Sequence, residues 1–316
     1  MKVTHVNQEG DVGKRVPLGY VILASIKPLV REWCQTSLWV SFLTALGDHT
    51  TGIICGVLGQ AIGWSYGWWS WLLLHLLILW PLCGRALRGL ENLTHEASHG
   101  NFAHNAEERN DRAGDWLCAR WVFLSVDAFE RAHRSHHDEF GTNHDPDKRR
   151  LAQRGGQHIS RESLWQLILS LLRLLLRYVV AYWAQFNESP SRLAVSVALH
   201  FGLVTCGVLL FGPLFPLWWS VYFLIPFLVY LPVIRFLAES EEHHYEEAST
   251  VFAATYSNTG RLQRWLLHPH GDAYHLLHHL IQAIPHWKVR TAHNILWVVD
   301  PSYREGKIRT SILSPL

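Results

Sequence analysis

The sequence predicts an all-α integral membrane fold: four transmembrane helices in two hairpins beneath a helical cap on one side of the bilayer. Two observations carry this expectation. Between Trp33 and Gly84 the only charged residue is Asp48, and between Arg192 and Arg235 there is none. Each run is about twice the ~20 apolar residues that cross a bilayer. Averages conceal the pattern, because charged residues make up 17% of the 316. A net charge of +2 is no footprint of a nucleic-acid-binding protein. The five cysteines are scattered without a CxxC pair, which argues against a disulfide framework, a zinc ribbon or a redox dithiol.

The chain reads as one domain over 1–316. Residues 1–32 read as a polar N-terminal arm, of which Met1 to about Val16 lacks the apolar core of a signal peptide. The first hairpin occupies 33–84, with spans near 36–62 and 66–84 and a turn around Gly63, Trp64 and Gly67. Arg31 precedes it, Arg85 and Arg88 follow it, and its far turn carries no charge. The positive-inside rule makes the flanking side cytoplasmic. The second hairpin, 193–234, repeats the design, with Phe211-Gly-Pro-Leu-Phe-Pro216 as its turn. Trp64, Trp68, Trp69 and Trp71, with Trp218 and Trp219, fit an aromatic belt at the membrane interface. Two polar blocks, 85–192 and 235–316, then fall on the cytoplasmic side with both termini. Within the first, Leu164 to Tyr182 is apolar but carries Arg173 and Arg177, the pattern of an amphipathic helix on the membrane surface.

Histidine is the unusual residue, at 21 of 316 positions. Eight fall into three boxes: His95-Glu-Ala-Ser-His99, His133-Arg-Ser-His136-His137 and His275-Leu-Leu-His278-His279. At this frequency an HxxHH pattern arises by chance about 0.1 times per chain, so two of them with an HxxxH exceed accident. Residues i, i+3 and i+4 share a helix face, so each box is expected to aim its imidazoles at one point. A single transition-metal ion takes about six ligands at most, so eight imply two ions. Imidazole alone does not choose among Zn, Cu, Fe and Ni. All three boxes come out on the side already assigned as cytoplasmic from charge. His75 and His200, inside the spans, read as satisfied interior histidines, and His5, His49, His158 and His286 as solvated.

The boxes, their order and the paired hairpins resemble the membrane fatty-acid desaturase superfamily, with its related hydroxylases and ketolases. Glycine follows the first box at Gly100, Gly141-Thr-Asn-His-Asp-Pro-Asp147 follows the second, and Pro285 trails the third. The resemblance implies a non-haem centre of two iron ions, O2 as co-substrate, and oxidation of an unactivated C–H bond. The expected substrate is a lipid or acyl chain, free or linked to CoA or acyl carrier protein, and the expected outcome is desaturation. Hydroxylation or ketone formation on the same scaffold is the alternative. The family also takes a ligand between the second hairpin and the third box. In Glu242-His243-His244 that implies His243, with His244 as the alternative. His270 and Asp272 stand close enough to the third box to serve as ligand or outer partner. Asp111, Asp115, Asp145, Asp147, Glu239 and Glu242 are candidates to orient ligating imidazoles through their second nitrogen.

The chain carries no His-Pro-Gly-Gly haem signature and no cysteine cluster, so the electron donor is expected to be a separate ferredoxin or cytochrome b5-type protein. A single-zinc membrane hydrolase leaves five of the eight box histidines unexplained. A metal transporter places ligands inside the spans, where only His75 and His200 lie. The expected location is a bacterial inner membrane.

Overall fold

The computed structural model describes residues 17–103, 107–154, 159–184, 190–245 and 249–313. The expected Trp64 side chain, His5 and His158 lie outside what is described. Helix α1 (Lys27–Trp33) leads to α2 (Leu38–Tyr66), which Ser37 caps through the Val40 amide. Gly67, at φ 80°, turns the chain into α3 (Trp68–Ser98), a 31-residue helix with a π turn at His75–Leu79. At 1.5 Å per residue, α3 outruns a hydrocarbon core about 30 Å thick. Its C-terminal half, buried on nearly all sides from Cys83 onward, carries the first histidine box.

Helices α4 (Glu107–Leu117), α5 (Val126–Asp138) and α6 (Pro146–Arg154) follow. Ser125 caps α5 through the Ala128 amide, and Asp115 accepts from the Val126 amide. The start of the second box's helix is thereby pinned. Helix α7 (Leu164–Ala184) is two-sided. Leu167, Tyr178 and Tyr182 are buried, while Leu169, Leu172 and Leu176 stand exposed. Helices α8 (Pro190–Phe211) and α9 (Phe215–Glu242) meet at Gly212, and α9 ends one residue before His243.

Three described helices are long and apolar enough to cross a membrane: α3, α8 and α9. Helix α2 occupies the place of the first expected span but is not among them. Asp48, His49 and a run of threonine and glycine dilute its apolar character. Asp48 is buried, ion-paired to Arg85 at 2.6 Å, and belongs to a polar contact between helices.

The all-α expectation needs one correction. Tyr256–Asn258 (β1) and Lys307–Arg309 (β2) pair as a two-stranded parallel sheet, tying the segment before the third box to the C-terminal region. Two β-strands of three residues leave no period to read in a sequence. The N-terminal arm is likewise more than polar chain. Tyr20, Ile26, Val30 and Trp33 are buried against Tyr274, Leu296 and Tyr303. Short α10 (Val251–Ala254), α11 (His275–Leu280) and α12 (Val289–Val299) complete the C-terminal block.

Both interior histidines are buried; His75 is satisfied at both nitrogens, while His200 is satisfied at Nε2 and leaves Nδ1 without a partner. His75 places Nδ1 2.7 Å from the Trp71 carbonyl and Nε2 2.8 Å from the Tyr222 hydroxyl. His200 lies 3.2 Å from the Trp121 carbonyl and stacks on Phe123. The solvated reading fails for His286, which is buried with its amide bonded to Glu96, and for half-buried His49, bonded to the Leu117 carbonyl. Isolated histidines have no period, so their environment was set by packing alone.

Candidate metal centre

The ends of α3 and α9, with α5 and α11, bring nine imidazoles together. His95 and His99 project from α3, His133, His136 and His137 from α5, His243 from the end of α9, and His275, His278 and His279 from α11. Their Nε2 atoms form two groups. In the first, His95 Nε2 lies 2.8 Å from His133, 3.1 Å from His278 and 3.2 Å from His99. His137 Nε2 joins at 2.9 Å from His133 and 3.2 Å from His278. In the second, His275 Nε2 lies 3.1 Å from His243 and 3.3 Å from His279. His136, His243 and His279 converge there with ligand atoms within 4.8 Å of one another.

The expectation that each box aims at one point therefore holds only for the first box. His133 and His137, four apart, go to one group, while His136 goes to the other. His275 and His279 pair in the second group, while His278 crosses to the first. Adjacent helical residues diverge by about 100°, so HxxHH serves two points.

The donor set fits metal ions. A neutral imidazole has one donor and one acceptor nitrogen, and several outer nitrogens face groups that suit an N–H. His136 Nδ1 lies 2.8 Å from Asp145 Oδ1, with both side chains fully buried. The Thr255 hydroxyl lies 3.4 Å from His243 Nδ1, whereas the Gln282 amide nitrogen, 3.0 Å from His137 Nδ1, is a donor and meets that nitrogen as an acceptor. Where the outer nitrogen donates, the inner one is a lone pair, and lone pairs converging on one point are an arrangement a cation at the centre relieves. His136 Nε2 is buried with no hydrogen-bond partner. Burial pulls His99 and His275 down to about 3 and holds His133, His137, His243, His278 and His279 well below the ordinary value. They are neutral at neutral pH, as metal ligation requires. His136 differs: burial lowers it, but Asp147 and Asp145 outweigh burial and hold it above the ordinary value.

Behind the rings lies a buried charge network. The Asp272 carboxylate faces both groups, 3.8 Å from His95 Nδ1 and 4.0 Å from His275 Nδ1. It accepts from Arg88 at 3.1 Å and lies 3.2 Å from His268 Nδ1. Burial works against the Asp272 carboxylate, but Arg88 and His268 hold it well below the usual carboxylate range. Glu242 lies 3.7 Å from Arg88 and 4.0 Å from His275 Nε2. Burial lowers His268, yet Asp272 and Glu241 raise it to about 9. His268 and Glu241 carry no box-like spacing, and Arg88 read in the sequence only as a charge flanking the first hairpin. The signal available was His268 four residues before Asp272 and seven before His275.

The remaining candidates separate. His244 is half-buried, belongs to neither group, and its amide bonds the Ala254 carbonyl. His270 turns away, its Nε2 2.6 Å from Asp48. Asp111 sits with Asn110, Asp115 caps α5, and Asp147 and Glu239 pair with Arg150. A cavity of about 520 Å³ opens onto the first group, lined by His99, His133 and His137 with Glu130, Arg134 and Gln282. The second group is more enclosed, since His136, His243, His275 and His279 are all buried.

The sequence matches the family described as fatty acid desaturase over residues 50–309, a stretch that holds all three boxes. The chain belongs to the fatty acid desaturase family. It is also similar to a protein of Bradyrhizobium elkanii named dihydrorhizobitoxine desaturase. The two are 27% identical over 253 residues, covering 74% of this chain and 70% of the relative. Family membership points to oxidoreductase chemistry in a membrane context, with a lipid or acyl class of substrate, and agrees with three helices apolar enough to span.

Proposed function

We propose that this chain holds two iron ions and uses O2 with externally supplied electrons to remove hydrogen from an unactivated C–H bond. The observation that carries the reading is the convergence of nine Nε2 atoms into a group of five and a group of four. His95, His99, His133, His137 and His278 would hold one ion, and His136, His243, His275 and His279 the other. His243 is the ninth ligand and His244 is not one.

Bound iron would supply the redox chemistry with O2 that attack on such a bond requires. The chain supplies imidazole ligands, with Asp145 bonded to His136, the Gln282 amide beside His137, and Asp272 3.8 Å behind His95 and 4.0 Å behind His275. Outer partners of this kind set ring orientation and ligand basicity. Burial of the second group limits water there. The product is an alkene, with an alcohol or ketone as the alternative on the same ligands. The donor is a separate ferredoxin or cytochrome b5-type protein, and the substrate is a lipid or acyl chain, carrier-bound or free. In the membrane, α2 pairs with α3 and α8 with α9 as two hairpins, with the centre and both termini cytoplasmic in a bacterial inner membrane.

The test is metal content per chain on detergent-purified protein, beside a variant with His136→Ala and His137→Ala, one residue from each group. About two irons in the parent, lost in a variant that stays folded, support the reading. A single zinc, or iron retained without these two rings, sinks it.

A further inference from the structure

Asp48 is the one charge in the first apolar run, and its contacts give it a purpose. Its Oδ1 accepts from Arg85 of α3 at 2.6 Å, and its Oδ2 lies 2.6 Å from His270 Nε2, 222 residues away in sequence. The Asp48 residue is 3% exposed. Gly89 of α3 makes room for the pair: a Cβ there would lie 2.2 Å from Asp48 Oδ2 and 2.7 Å from His270 Nε2. His270 is also one of two described non-glycine residues with positive φ, at φ 58° and ψ 38°, and Gly271 follows at φ 82°. A left-handed conformation is unfavourable for a non-glycine residue and persists where surrounding contacts over-determine it.

Those two left-handed residues reverse the chain immediately before Asp272, whose carboxylate stands behind His95 of one group and His275 of the other. His275 itself begins α11 and the third box. We infer that Asp48 is a positioning residue: it anchors His270, holds the left-handed turn, and so sets Asp272 and the third box against both histidine groups. The inference rests on the two-metal reading above. It makes α2, a helix with no histidine in either group, part of the metal site's geometry.

The experiment uses the full chain in detergent, reconstituted with ferrous iron, and reads iron retention against a chelator together with the Mössbauer spectrum. Asp48→Asn removes the charge at constant size. His270→Gly keeps the left-handed turn without strain but removes the anchor. Both are expected to retain wild-type elution and helicity, to hold iron about tenfold less tightly, at the low end for residues supporting ligands, and to show an altered spectrum. Asp48→Glu should recover part of the signature. Gly89→Ala, which presses on the same pair from α3, serves should Asp48→Asn fail to fold. Wild-type spectra and retention in the folded variants overturn the positioning role alone. No iron bound by the parent chain overturns the two-metal reading and this one with it.

Discussion

Asp145 accepts the Nδ1 proton of His136 at 2.8 Å while neither side chain touches solvent. The same carboxylate takes the amides of Gly141, Asp147 and Lys148. It is therefore held rigidly by the loop after the second box, and His136 Nε2 is left buried without a hydrogen-bond partner. Asp145→Asn should weaken iron binding by roughly 10- to 100-fold, with the loss falling on the four-histidine group. Competition with a graded chelator measures it. Unchanged retention would mean that the ring is oriented by packing alone.

The two groups differ in access. His99 and His137 are half-buried beside the cavity of about 520 Å³, whereas His136, His243, His275 and His279 are buried. Limited chelation should therefore first produce protein with about one iron per chain, the survivor in the four-histidine group. Metal analysis along a chelation time course, with Mössbauer spectra at the midpoint, checks this. Simultaneous loss of both ions contradicts it.

Arg88 neutralises three buried acids, Glu91 at 3.4 Å, Asp272 at 3.1 Å and Glu242 at 3.7 Å. Removing one partner of a buried ionic set leaves uncompensated charge, at a cost of about 3–5 kcal/mol. Arg88→Met is expected to lower the thermal midpoint sharply in detergent, more than Arg112→Met, whose pair with Glu108 is solvent-exposed. Equal midpoints would show that the network carries little.

His268 gives a pH dependence. Its folded value is raised to about 9, Asp272 and Glu241 overcoming burial, against about 6.5 in an unfolded chain. A group raised on folding contributes stability that is fully present below about 6.5 and is lost as pH rises through about 9. His268→Gln should therefore destabilise the protein strongly at pH 6 and much less at pH 9.5, by a difference on the order of 3 kcal/mol. Denaturation of parent and variant at both pH values checks the sign. A penalty that grows with pH would contradict the assignment.

Much of this was legible before folding. The uncharged runs marked where α3, α8 and α9 lie, and the i, i+3, i+4 spacing named eight of the nine clustered histidines. Glu242-His243 pointed to the ninth by its place in the chain. The fourth span, α2, is less apolar than its near-uncharged stretch suggested, because threonine, glycine and Asp48 dilute it. The roles of His268, Arg88 and Glu241 stayed hidden because single polar residues in a helix or loop show no period until a partner from distant sequence closes on them.

Residue spacing by itself determined which imidazoles lie on helix faces, since 3.6 residues per turn is a local property of the backbone. Only the tertiary structure decided how those faces were shared. Neighbours His136 and His137, and His278 and His279, are divided between the two groups because α5 and α11 each lie between two points of convergence. It also decided that Asp48 meets His270 across 222 residues, a pairing set by the packing of α2 on α3, which no local pattern encodes.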